Sequence, residues 1–298
     1  MPPERGTIIS NDAGRQPHTR AAASASIRVR RGLTAATILG CVTLVFAITA
    51  PVSCSDEQAG SANSRDLRGW RSPGAKPRSD ARATARVVRA PESVPGNSRA
   101  NRYVPSRAQL ASFRGATDET GQTTTTANRL LRYVTGRPRL RKPSTEMLIQ
   151  WASHKWGIPT DLIRAQMFVE SKWRQSHLGD LEQVPPSWYV RYPAFARVTG
   201  GQVYQSLGIA QVKWTPNGKV GAGTEPLRWK STAFNLDYYA ATIRYYYDGA
   251  CHWCTGGYGP GQAWNSVGAW YSPNPWANPD ARRYAGGVRQ ALEDRPWR

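Results

Sequence analysis

Large aromatic side chains are confined almost entirely to one half of this 298-residue chain. Of its 12 Trp and 13 Tyr, 11 of each lie after Pro143. Indoles and phenols bury more area than other side chains, so the hydrophobic core is expected within residues 143–298. A segment of that length can bury about two-thirds of the surface it exposes when unfolded. Charge divides the other way. Before Pro143 there are 24 basic and 9 acidic residues and from it onward 16 and 11, so the formal net charge of +20 splits into +15 and +5. This partition excludes one fold spread evenly over the chain. It predicts three parts: a leader over 1–54, a linker over 55–142 and a domain over 143–298.

The leader reads as an export signal or anchor. Gly32 to Ala50 carries no charge and is largely apolar, and Arg28, Arg30 and Arg31 stand just before it. A positive region followed by an apolar run is the pattern of a secretion signal, or of a membrane anchor if it is not cleaved. At about 19 residues the run just reaches the length that spans a bilayer. Arg30-Arg31 before Leu33 has a twin-arginine flavour, and Val52-Ser53-Cys54 is reminiscent of a lipoprotein box. Cleavage, retention of residues 32–50 in the membrane and lipidation of Cys54 all place the remainder outside the cytoplasm. A buried helix of a cytosolic protein is the bland alternative, and the basic flanks argue against it.

Residues 55–142 are rich in Ser, Arg, Ala, Gly, Thr and Pro, with few large apolar side chains and no sustained period. Such composition predicts a disordered linker, because burial cannot offset the entropy of ordering it. Asn128–Val134 is its one expected short helix. The positive charge of the segment, which includes Arg137-Pro138-Arg139-Leu140-Arg141-Lys142, favours an anionic surface, whether cell-wall polymer, anionic lipid or nucleic acid, or the segment is a soluble spacer. Zinc-ligand spacing and aromatic-basic RNA signatures are missing, so nucleic-acid binding is not expected.

Beyond Pro143 the pattern turns helical, and the fold class expected is mainly α. Ser144 suits an N-cap, Met147, Leu148, Trp151 and Ala152 follow at helical spacing, and Gly157 ends the segment. A second helix opens at Pro159-Thr160-Asp161. On it Ile163, Met167 and Glu170 fall at i, i+4 and i+7, so a carboxylate continues the apolar stripe, with Trp173 one turn on. Desolvation beside an indole raises a carboxyl pKa, and a raised pKa is what a general acid near neutrality requires. The plainer reading is a solvated or ion-paired Glu at a helix end. Asp180 and Glu182 fall in a Gly- and Pro-punctuated loop and read as solvated. Asp237 and Asp248 read as structural.

Val169-Glu170-Ser171, followed downstream by Ser206-Leu207-Gly208-Ile209-Ala210-Gln211-Val212, resembles the two leading motifs of the lytic transglycosylase family, whose fold is lysozyme-like. Phe234-Asn235-Leu236-Asp237 resembles the family's Asn-led helix, with Tyr239 and Thr242 where a Gly and a Tyr are usual. Ala269-Trp270-Tyr271-Ser272-Pro273 stands in place of its Ala-Tyr-Asn-x-Gly motif, and Tyr284 and Val288 suit the closing helix. The resemblance covers about Ser144 to Leu292 and implies cleavage of the MurNAc–GlcNAc β-1,4 bond of peptidoglycan with Glu170 as sole acid and base. It implies substrate contacts at Ser171, Ser206 and Gln211, no cofactor or metal, and a monomer acting on glycan strands. Trp270 and Tyr271 suit stacking on sugars or a place in the core. A catalytically inactive wall-binding protein and a hydrolytic muramidase are the alternatives. Trp188, Tyr189, Tyr192 and Phe195 occupy a long segment between Glu170 and Gly208.

Cys251-His252-Trp253-Cys254 lies among glycines. A structural disulfide between Cys251 and Cys254 fits an extracytoplasmic protein best, ahead of a redox pair or half a zinc site.

Overall fold

The computed structural model describes residues 69–251, 254, 259–272 and 278–298. The expected signal or anchor and Cys54 lie outside the described residues. None of the described helices is long and apolar enough to cross a membrane.

The architecture is mainly helical with one small antiparallel sheet. Four short helices come first: α1 (Asp80–Thr84), α2 (Ser98–Asn101), α3 (Arg107–Gly115) and α4 (Thr124–Ala127). Two longer ones follow, α5 (Thr145–Trp156) and α6 (Thr160–Ser171). The sheet region comprises β1 (Leu178–Gln183), α7 (Pro186–Tyr189), β2 (Arg197–Val198), β3 (Gln202–Leu207) and β4 (Val212–Lys213). The chain closes with α8 (Leu227–Lys230), α9 (Thr232–Tyr247), α10 (Ala263–Tyr271) and α11 (Pro279–Asp294).

Capping chemistry sets the limits of α5 as the sequence predicts, and those of α11 by a cap not read from the sequence. The Ser144 side chain accepts from the Met147 amide, and Gly157 ends α5 in the left-handed region at φ 66°. Asn278 caps α11 by accepting from the amides of Asp280 and Ala281, with Pro279 at the first helical position. In α6 the expected stripe is buried, Ile163 and Met167 completely so.

The sheet is not foreseen by a mainly helical reading of this region. β3 is its centre: β1 pairs with it from Leu178↔Leu207 to Gln183↔Gln202, and β2 and β4 also pair with it, all antiparallel. Gly179 and Asp180 interrupt any apolar alternation in β1, so local pattern gives no strand signal there. The long segment that carries the sheet has its own small core of Val184, Tyr192, Val203 and Trp214, in which Tyr192 meets Trp214 edge-on at 5.0 Å.

Residues 69–142 correct the linker expectation: they are folded onto the domain, and the compact unit does not begin at 143. Residues 69–142 belong to the same compact unit as the later helices. Ala83, Leu110, Phe113, Leu130, Leu131 and Val134 are buried in the main core. Phe113 meets Phe234 of α9 edge-on at 5.1 Å, and Trp70 stacks on Tyr247 at 3.9 Å. The short helix expected at 128–134 is a 3-10 helix over Arg129–Tyr133, capped by Asn128. The reason composition misleads is physical. Helices of four to nine residues expose no amphipathic period, and a few well-spaced apolar side chains suffice when a preformed surface receives them.

A buried polar hub joins this segment to the helices. The Lys155 ammonium on α5 lies 2.8 Å from Asp237 Oδ2 on α9 and 2.9 Å from Asp80 Oδ1 on α1. Asp237 also accepts from the Trp156 indole N–H at 2.6 Å and from the amides of Thr135 and Gly136 at 2.8 and 3.0 Å. Gly136 is needed there: at φ +57° any Cβ would sit 2.7 Å from Phe234 Cα. Asp237 thus is structural, as read from sequence, and so is Asp248, which pairs with Arg244 at 2.9 Å.

Removing one partner of a buried pair strands the other charge. Asp237→Ala should therefore lower unfolding free energy by about 3–5 kcal/mol in urea titration. Asp280→Ala, which breaks the exposed Asp280–Arg283 pair, should cost no more than about 1 kcal/mol.

Candidate active site

A cleft of about 720 Å³ runs between the helices and the sheet. Glu170 lines it on one side together with Trp270, Tyr271 and Tyr284, and Asp180, Ser206 and Gln211 line it on the other. Each wall follows from the fold. Glu170 is the penultimate residue of α6, which packs against α11 and so meets Tyr284. Trp270 and Tyr271 are the last residues of α10. The opposite wall is the β1–β3–β4 sheet.

Burial dominates the electrostatics of Glu170 and raises its pKa to about 8. The Tyr284 hydroxyl, which donates to Glu170 Oε1, pulls the other way, the nearby Asp180 charge adds to the rise, and a hydrogen bond with Trp270 lowers it. The Tyr284 hydroxyl is itself pushed well above its usual range, by burial first and then by the charge of Glu170, so it remains a donor. One turn before Glu170, Gln166 accepts from the Tyr239 hydroxyl at 2.6 Å. Tyr239 in turn meets Trp270 edge-on at 5.1 Å. The Tyr239 side chain therefore supports the wall behind Glu170.

The 206–211 loop is held from behind by Asn235. Its carbonyl accepts from the Ala210 amide at 2.8 Å, and its amide donates to the carbonyls of Leu207 and Arg228 at 3.0 and 2.5 Å. Gly208, at φ +92°, is pressed so close that an added Cβ would lie 2.2 Å from Asn235 Nδ2.

The expected site residues divide by position. Glu170, Ser206, Gln211, Trp270 and Tyr271 meet at the cleft. Ser171 does not, and this corrects its expected role as a substrate contact. It is buried, and its hydroxyl donates to Ile209 O at 2.8 Å and Met167 O at 3.2 Å, tying α6 to the loop. Following Glu170 in a helix, it faces away from the cleft by the helical turn. Gln211 lines the cleft while its amide nitrogen is spent on Gly208 O at 2.7 Å and His177 O at 3.2 Å. Ser206 donates to Asp180 Oδ2 at 2.6 Å. Tyr271 is 54 % exposed and stacks on Tyr284 at 5.4 Å, an open face beside the acid. Trp270 reaches both the core and the cleft.

Two site residues escaped the sequence reading. Tyr284 was legible only as part of a closing helix, because 114 residues separate it from Glu170. Asp180, expected in a solvated loop, faces the cleft from β1, with Lys213 Nζ at 3.5 Å. The Cys251 and Cys254 sulfurs are bonded at 2.06 Å. Among the described residues no group of His, Cys, Asp and Glu could hold a metal ion.

The shifted carboxyl couples to stability with a definite sign. Between the ordinary carboxylate range and about pH 8 the folded state holds a proton on Glu170 that the unfolded chain has released. Stability from this group therefore falls as pH rises through that window. Glu170→Gln should match the wild type near pH 4 and exceed it by about 1–3 kcal/mol at pH 8, as read by thermal unfolding across pH. No family model matches this chain, and no curated protein or solved structure shows significant similarity to it.

Proposed function

We propose that this chain is an exported peptidoglycan lytic transglycosylase, with a lysozyme-like arrangement of helices and sheet around its cleft. The observation that carries the reading is Glu170, a carboxyl kept protonated near neutrality, on the wall of a cleft whose other lining includes motif residues Ser206, Gln211 and Trp270. In this mechanism Glu170 donates its proton to the departing GlcNAc oxygen as the bond to MurNAc C1 breaks. The resulting carboxylate then takes the proton from the MurNAc C6 hydroxyl, whose oxygen closes on C1. The product ends in 1,6-anhydro-MurNAc and no water is consumed. Tyr284 holds the carboxyl through its hydrogen bond to Oε1. Tyr271 and Trp270 offer ring faces to sugar C–H groups. The charge-free run over Gly32–Ala50 supports an extracytoplasmic location, where this substrate lies.

A second reading is favoured by Asp180. Hydrolysis of the same bond needs a second carboxylate to activate water or to attack C1. Asp180 faces the cleft and is close enough to raise the pKa of Glu170. A wall-binding protein without turnover is the third reading, motivated by the altered residues on α9 and α10.

Mass spectrometry of the soluble products from peptidoglycan sacculi separates the three. The expected result is 1,6-anhydro ends from the wild type, and a loss of at least about a thousandfold in release rate for Glu170→Gln, with sacculus binding kept. Reducing ends abolished by Asp180→Asn would establish hydrolysis, and binding without release would establish the third reading. Tyr284→Phe removes a hydrogen bond that lowers the Glu170 pKa. The alkaline limb of its pH–rate profile should therefore move to higher pH, with the optimum rate reduced about tenfold.

A further inference from the structure

The basic segment before α5 builds a second cavity, of about 650 Å³, which shares no lining residue with the Glu170 cleft. Four arginines line it: Arg107 and Arg114 of α3, and Arg137 and Arg139 of the chain leading to α5. Their placement follows from local geometry. Arg107 and Arg114 lie at i and i+7 with Leu110 between them at i+3, on one helix face. Arg137 and Arg139 flank Pro138, so an extended path sends both to the same side.

The wall is fixed before any ligand arrives. The Arg137 amide donates to Thr135 Oγ1 and the Arg139 amide to Thr84 Oγ1, each at 3.2 Å. Arg114 Nη2 donates to Val134 O at 3.0 Å, while its buried Nε has no hydrogen-bond partner. The cavity's one carboxylate, Asp80, is already committed to Lys155 and to the Thr135 hydroxyl. No ion pair among the described residues engages Arg107, Arg114, Arg137 or Arg139. Four cations around one hollow repel each other and create a local positive field that attracts anions.

We propose that this cavity binds a phosphate-bearing ligand. A phosphate offers several strong acceptor oxygens, and guanidinium forks match it two bonds at a time. A single carboxylate would leave most of the charge unanswered, whereas a ligand with more than one phosphate balances it. Leu110 and Pro138 give the rest of the wall apolar surface for a carbon skeleton. Two sources share this chemistry: a free small diphosphate, and successive units of a phosphodiester polymer.

Calorimetric titration of the full chain at constant ionic strength, with inorganic pyrophosphate and separately with a glycerol phosphate oligomer, tests the site. Saturable binding of either supports it. Equal affinity for both points to a small anion, and preference for the oligomer points to a polymer. Arg137→Gln combined with Arg139→Gln should weaken binding at least about tenfold. Among the described residues these two side chains make no hydrogen bond, so the melting temperature without phosphate should be kept; Arg107→Gln serves as a second variant if it is not. Glu170→Gln should bind phosphate as the wild type does, which keeps this site independent of the glycan reading. No saturable binding of either probe, or equal binding by wild type and the arginine variants, would overturn it.

Discussion

The Lys155–Asp237 pair, sealed away from water, is the contact on which the rest of this structure depends. Two opposite charges survive in a low-dielectric interior only when attraction and further hydrogen bonds offset lost hydration. Here the offset comes from four directions: Asp80, the Trp156 indole, and the amides of Thr135 and Gly136. These partners come from three separate parts of the chain, so satisfying the buried pair fixes the mutual positions of α1, the 135–136 segment, α5 and α9. The same helix that supplies Asp237 supplies Asn235 two residues earlier and Tyr239 two residues later. Asn235 grips the 206–211 loop and Tyr239 reaches Gln166. One helix thus carries the structural hub and both supports of the cleft.

Within the cleft the environment of Glu170 is set by opposed effects of unequal size. Burial and the Asp180 charge favour the neutral acid, while the Tyr284 hydroxyl and Trp270 favour the anion. Burial wins, leaving the group poised near 8 rather than locked in one form. A group that must first give and then take a proton works best when neither state is far out of reach. That poise costs stability at neutral and alkaline pH, because the folded state holds a proton that the unfolded chain releases.

The segment over 69–142 shows how composition and folding part company. Judged by average polarity it has too little apolar surface to form a core of its own. It does not form one. Its apolar residues complete a core whose larger share comes from α5, α6 and α9, and its polar residues Asn97 and Asn101 reach Thr145 at 2.9 and 3.1 Å. Four of its arginines line the second cavity.

By itself the sequence determined the elements whose causes are local. Ser144 and Gly157 bound α5, Pro159 opens α6, and the Ile163–Met167–Glu170 spacing puts a carboxyl in an apolar stripe, because capping and helical period act over a few residues. The motif resemblance also pointed to Ser206 and Gln211 as cleft residues, and left Trp270 and Tyr271 open between the cleft and the core. Only the tertiary structure decided the rest. It turned Ser171 inward onto Ile209, brought Tyr284 across 114 residues to Glu170, aimed Asp180 into the cleft from a strand with no strand signal, and folded the basic segment onto the helices. Each of these depends on which surfaces meet, and a one-dimensional pattern does not record contacts between residues far apart in the chain.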